Sequence, residues 1–145
     1  MSRVEDFLSA TDEEEIVQAI LQAEKNTSGE IRVHIESHTQ LDHYERAKEV
    51  FHLLKMDNTK EGNGVLLYVA VNDRKFAICG DKGIDKVVPE DFWETTKEII
   101  QSHFKEGNFK EGILQGVLKA GTELEKHFPW QQGDRNELSN EISKG

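Results

Sequence analysis

Three short stretches carry the residues best suited to chemistry: TSGE (27–30), DNTKEGNG (57–64) and GDKGID (80–85). They supply the oxygen side chains of Glu30, Asp57, Glu61, Asn63, Asp81 and Asp85, interleaved with Gly29, Gly62, Gly64, Gly80 and Gly83. A hard cation takes about six to eight oxygens from carboxylates, carboxamides, backbone carbonyls and water, and this supply matches that demand. Glu30, Asp57, Asn63, Asp81 and Asp85 are the candidate ligands, for calcium or for magnesium in its place. Turns also favour glycine and acidic residues for their own sake, and on composition alone that is the commoner origin of such loops. Better-defined motifs fail. Asp57, Thr59, Glu61 and Gly62 match the start of a calcium-binding helix-loop-helix, but Tyr68 stands where its bidentate glutamate belongs. GDKGID has neither the glycine pattern of a dinucleotide loop nor the lysine-serine of a phosphate loop.

Whether these loops meet depends on the elements around them. Glu30 to Glu36 alternates, with Ile31, Val33 and Ile35 on one face and His34 and Glu36 on the other, the pattern of a half-buried strand. Gly64 to Val71 is continuously apolar, as in a strand covered on both faces. Asn72-Asp73 reads as a tight turn and Lys75 to Cys79 as the antiparallel return. A helix from about Leu41 to Leu54 separates the first two strands, so these should be parallel. Both then begin at one edge of the sheet, and the return strand brings Gly80-Asp81 to that same edge.

The remaining segments read as helices. Val4, Phe7 and Leu8 suggest a short opening helix capped by Ser2 and Glu5; a second, at about 12–25, starts with Thr11 and Glu14. The run Asp12 to Glu15 falls in a first helical turn, where carboxylates complement the helix dipole rather than gather a ligand. His38, His43 and His52 share no helical spacing with a carboxylate partner and read as surface residues. Pro89 is placed to open a long helix whose core face is Phe92, Trp93, Thr96, Ile99, Ile100 and Phe104, with Gly107 as its stop. Asn108 begins a last helix to about His127, in which Gly112 and Gly116 allow close packing. The expected fold is an α/β/α sandwich with a small mixed sheet containing a β-hairpin. One domain spans 1–128, and 129–145 is expected as a flexible polar tail.

With 145 residues the chain is long enough for one domain with a proper core. Its net charge of -10, from 28 acidic and 18 basic side chains, repels phosphate backbones and anionic lipid. Nucleic acid and membrane are therefore poor partners, whereas a divalent metal ion or a basic protein partner suits the charge. Cys79 is the single cysteine, so neither an internal disulfide nor a cysteine-built zinc site can form. The opening MSRVEDFLSATDEEE lacks the apolar run of a secretion signal, and a cytoplasmic location is expected.

TSGEIRVHIES, NGVLLYVAVNDRKFAICGDKGID and FKEGNFKEGILQGV, in that order, together resemble the TPM domain family. That family includes the thylakoid-lumen acid phosphatase of photosystem II repair and many bacterial proteins. The resemblance runs from about Asp12 to Phe128 and is closest to the short free-standing bacterial form. It implies an α/β/α sandwich, calcium binding in loops at one sheet edge and, for some members, phosphatase activity. Glu30 matches the acidic residue that begins the family's first strand, and Asn63-Gly64 its Asn-Gly before the second. Asp73-Arg74 matches the hairpin, and Gly80 and Gly83 the glycine loop after it. Gly62 replaces an aspartate frequent in the family and Asp81 a common aromatic, so Asp81 and Asp85 are placed to restore the lost charge.

A phosphatase needs a nucleophile or a metal-activated water, together with cationic stabilisation of the phosphoryl group. Cys79 lacks a following phosphate-cradling loop and arginine, and neither a DxDxT nor an RHGxRxP motif is present. Metal-assisted hydrolysis of a phosphoester is the route left open, with Lys82 the nearest cation to the loops. The expectation is a calcium-binding TPM domain with weak metal-dependent acid phosphatase activity. The alternative is a non-catalytic, metal-regulated protein-interaction module.

Overall fold

The computed structural model describes residues 7–59, 61–89, 91–130 and 142–144. Its helices are α1 (Ala10–Glu24), α2 (His43–Leu53), the single turn α3 (Lys82–Asp85), α4 (Phe92–Lys105) and α5 (Phe109–His127). Its strands are β1 (Glu30–Glu36), β2 (Gly64–Ala70), β3 (Lys75–Gly80) and the two-residue β4 (Ser143–Lys144), in the sheet order β3-β2-β1-β4. β1 and β2 are parallel, with Glu30 opposite Gly64 and Glu36 opposite Ala70. β2 and β3 are antiparallel, with Val65 opposite Gly80. The sheet is mixed, contains the hairpin, and has helices on both faces.

The two faces of β2 explain its unbroken apolar run. Val65, Leu67 and Val69 join Ile31, Val33 and Ile35 of β1 in a core closed by Ile16 and Ile20 of α1, Ile100 of α4, and Ile113 and Val117 of α5. Leu66, Tyr68 and Ala70 point the other way, onto Ala47, Val50 and Phe51 of α2. Within the first core, a side chain on Gly112 would stand 2.7 Å from the Phe104 ring, and one on Gly116 would stand 2.8 Å from Ile100. Both glycines thus serve the close approach of α4 and α5, as expected. No helix among the described residues is long and apolar enough to cross a membrane.

Several local expectations are corrected. The α1 cap is Ser9, whose hydroxyl accepts from the Asp12 N–H at 3.0 Å, two residues before the expected Thr11–Glu14 pair. Of the expected opening helix only Phe7 and Leu8 are described; its Ser2–Glu5 cap lies outside the described residues. The hairpin connection is four residues, Val71 to Arg74, rather than a tight two-residue turn. Asn72 N–H donates to the Ser37 carbonyl at 2.7 Å, and Asp73 Oδ2 accepts from Thr39 N–H at 2.9 Å. These bonds bind the turn to the chain leaving β1, so its geometry answers to more than the two strands it joins.

Pro89 does not open α4. The helix starts at Phe92, whose N–H donates to the Pro89 carbonyl at 3.0 Å. β1 is buried on both faces rather than half-exposed, with His34 and Glu36 at 6% and 5% exposure. Finally, the end of the segment expected as a flexible tail adds β4 alongside β1, with Ser143 opposite His34.

Candidate functional site

Parallel pairing of β1 with β2 and the hairpin return do bring the three acidic, glycine-containing loops to one sheet edge. Glu30 N–H donates to the Asn63 carbonyl at 3.3 Å, Asp81 N–H to the Gly64 carbonyl at 3.0 Å, and Gly83 N–H to the Gly62 carbonyl at 2.9 Å. Gly62 has a φ of 62°, the left-handed region that glycine occupies without steric cost. Gly83 is required by proximity, since a Cβ there would stand 2.3 Å from the Glu61 carbonyl oxygen. The Ser28 hydroxyl donates to Glu61 Oε2 at 2.5 Å, and the Asn63 amide donates to both Ser28 Oγ and Glu61 Oε2 at 3.2 Å. Glu61 is thereby held over the junction of the first two loops.

The five expected ligands fall into two sets. Glu30 and Asn63 are inside the fold, each 1% exposed. Asp57, Asp81 and Asp85 instead line one groove of about 430 Å³ between α2, β3 and α4, together with Lys48, Lys82 and Lys97. Each aspartate there has local work. Asp57 Oδ2 lies 2.8 Å from His52 Nδ1, and that contact holds its carboxyl below the usual range. Asp81 Oδ1 accepts from Lys82 N–H at 2.8 Å and so starts the turn α3, which the sequence had suggested only as a loop. Asp85 Oδ1 accepts from the Trp93 indole N–H at 3.1 Å. Among the described residues no three His, Cys, Asp or Glu side chains are placed to hold one metal ion. A hard cation would have to complete its shell with backbone carbonyls, carboxamide and water, donors that calcium accepts.

The same groove carries cations and aromatic surface. Lys97 Nζ lies 4.5 Å from the centroid of the Tyr44 ring, a cation–π contact that fixes the ammonium at the groove wall. Cys79 also lines it, but burial pushes its thiol up to about 11, so it is protonated at neutral pH and unsuited to nucleophilic attack.

A second polar cluster lies toward the opposite end of β1. Glu36 accepts from Arg46 Nε at 2.8 Å and Nη2 at 2.9 Å, from the Tyr68 hydroxyl, and contacts His34 Nε2 at 3.0 Å. His34 Nδ1 lies 3.0 Å from Ser143 Oγ, so the cluster also fastens β4. Burial opposes ionisation of Glu36, yet the hydrogen bonds from Arg46, Tyr68 and His34 outweigh it and draw the carboxyl down to about 2. The same burial holds the His34 imidazole below its usual range. The sequence signal for this cluster was the two polar residues, His34 and Glu36, sharing a strand face. Nearer the candidate site, Glu24 accepts from Ile31 N–H at 2.7 Å; burial, reinforced by the charge of Glu30, pushes its carboxyl up to about 8 despite that bond.

Comparison with known proteins agrees with this architecture. The chain is 59% identical to the BA42 protein of the psychrophilic bacterium Bizionia argentinensis, whose solution structure it matches with a TM-score of 0.91 over 100% of both chains. The N-terminal domain of a protein from P. gingivalis matches at 23% identity and a TM-score of 0.66, over 87% of this chain and 83% of that one. The N-terminal domain of the cg2496 protein from Corynebacterium glutamicum matches at 14% identity and 0.65, over 81% and 74%. At those lower identities the likeness is one of fold. No curated protein matches the chain. The family model of the TPM domain covers residues 2–123, and with the full-length likeness to BA42 it shows that the chain belongs to the TPM domain family.

Proposed function

We propose that the three-loop edge is a divalent-cation site, selective for oxygen-loving ions such as calcium, and that the adjoining groove receives a phosphoester. The supporting observation is that Asp57, Asp81 and Asp85 line one groove whose wall is locked by backbone bonds to the Glu61–Gly64 loop. Asp81 is central, because its backbone N–H bonds to Gly64 while its side chain begins α3 in the groove wall. Glu61 and Asn63 extend the oxygen supply toward the first loop, and Glu30 contributes from within the fold.

A bound cation would supply a water of lowered pKa at the groove. The chain's own contribution is cationic: Lys48, Lys82 and Lys97 line the groove and offset phosphoryl charge. With Cys79 held as the thiol, covalent cysteine catalysis has no part in this reading.

Calcium titration of ¹⁵N-labelled protein tests the site. Shifts are expected in 28–30, 57–64 and 80–85, with the 71–74 connection unchanged; shifts centred on Asp73 would refute the placement. For turnover, an aryl phosphate is assayed with and without chelator in wild type and Asp81→Asn. The substitution keeps one oxygen and removes a full charge, so calcium affinity and any metal-dependent turnover should fall together. Absence of metal-dependent turnover in wild type with calcium shifts intact would leave the non-catalytic module, binding a basic partner through the same edge.

A further inference from the structure

A second groove lies at the other end of the sheet. It has a volume of about 760 Å³ and runs between the hairpin connection, the end of α4 and the start of α5. Phe7, Phe76, Phe104 and Phe109 form its apolar lining. Their rings make one cluster, with centroids 4.7 Å apart for Phe7–Phe109, 5.3 Å for Phe76–Phe104 and 5.5 Å for Phe104–Phe109. All four are only partly buried, so the molecule leaves aromatic surface in water here that it buries elsewhere.

The rim is basic, and no carboxylate among the described residues lines it. Arg74, Lys75 and Lys105 line it in a chain whose net charge is -10. Among the described residues none of the three has an ion-pair partner, whereas Arg46, Lys48, Lys97, Lys110 and Lys144 do. Arg74 has a φ of 54°, a left-handed conformation that bulky side chains seldom adopt, so its position costs backbone energy. An apolar cleft of this size with a few charged groups at its mouth has the anatomy of a small-molecule site.

We propose that this groove binds an anionic amphiphile, an aliphatic carboxylate whose tail lies on Phe7, Phe76, Phe104 and Phe109 and whose headgroup meets Arg74, Lys75 and Lys105. The charge complementarity selects against neutral and cationic amphiphiles. The apolar lining selects against small inorganic anions, which gain nothing from the phenylalanines. The site is independent of the cation edge, which lies where β1 and β2 begin, whereas this groove includes Val71 and Arg74 beyond the end of β2.

The test is an NMR titration of the full ¹⁵N-labelled chain with dodecanoate, below its micelle concentration and without calcium, beside dodecyltrimethylammonium as the cationic control. Saturable shifts are expected at Phe7, Val71 to Phe76 and Phe104 to Phe109, with the ammonium weaker by about tenfold or more. Arg74→Glu/Lys105→Glu alters only exposed rim charges and should weaken dodecanoate by about tenfold while melting and spectral dispersion stay those of wild type. Equal binding of the two amphiphiles, no saturation at millimolar dodecanoate, or an affinity unmoved by the double substitution would overturn the proposal. So would concentration-dependent shifts of the same residues without ligand, which assign the groove to a second copy. Binding of an acidic amphipathic peptide in place of dodecanoate would overturn it in favour of a protein partner.

Discussion

Glu36→Gln isolates the buried cluster that joins α2, β1, β2 and β4. The substitution preserves shape but removes the charge that faces Arg46, and it gives an amide to a site built to accept hydrogen bonds from Arg46 and Tyr68. The fall of the Glu36 carboxyl from an ordinary 4.5 to about 2 corresponds to on the order of 3 kcal/mol favouring the ionised folded state. Arg46 is 24% exposed on its side chain, and water screens that half of the pair, which reduces the expected loss to about 2 kcal/mol at pH 7.

Because the folded carboxyl is the stronger acid, its contribution is complete above about pH 4.5 and disappears as the pH falls toward 2. The wild-type advantage over Glu36→Gln, measured by urea unfolding at a series of pH values, should therefore be about 2 kcal/mol at neutrality and shrink steadily across that window. A gap that stays constant from pH 7 to 3 would mean that shape or amide placement sets the cost, and the electrostatic account would be wrong.

Glu24 has the opposite sign. Burial pushes its folded carboxyl up to about 8, so ionisation costs the wild type stability as the pH rises from 4.5 through 8, and Glu24→Gln should be the more stable protein by on the order of 4 kcal/mol at pH 8, the gap vanishing near pH 4.5 in urea melts. Gly83→Ala places a methyl against backbone at 2.3 Å and 2.6 Å, which side-chain motion cannot relieve; unfolding should show a loss of about 1–3 kcal/mol, and calcium shifts in 57–64 should weaken with it. Calcium at about a hundredfold its dissociation constant should add roughly 2.7 kcal/mol to wild-type stability, and an unchanged melting curve against a chelator control would count against the cation site.

The convergence of the candidate loops was legible because it follows from strand direction alone. A helix between Glu30–Glu36 and Gly64–Ala70 makes the two strands parallel, and a short connection makes the third antiparallel; the starts of β1 and β2 and the end of β3 must then share an edge. The TPM family assignment was legible for a related reason, since its three motifs are contiguous in the chain. Contiguity also explains the success at Gly112 and Gly116, where spacing along one helix indicates one packing face.

What the chain order could not convey was which polar side chains find each other across elements. Alternation along β1 shows that its two faces differ but not that the second is covered, so the burial of Glu36 has no signature in the strand's own sequence. Only the packed structure lays α2 over that face, supplies Arg46 and Tyr68, and brings Ser143 back from more than a hundred residues away to His34. Asp57, Asp81 and Asp85 were chosen for oxygen, but packing gave each a local partner first, and it set three lysines beside them. The phenylalanine groove was beyond sequence reading for the same reason: Phe7, Phe76, Phe104 and Phe109 belong to separate segments, and each alone looks like an ordinary core residue. Local backbone preference and strand direction act over a few residues and survive in the sequence; burial and electrostatic pairing depend on distances that exist only once the layers have closed.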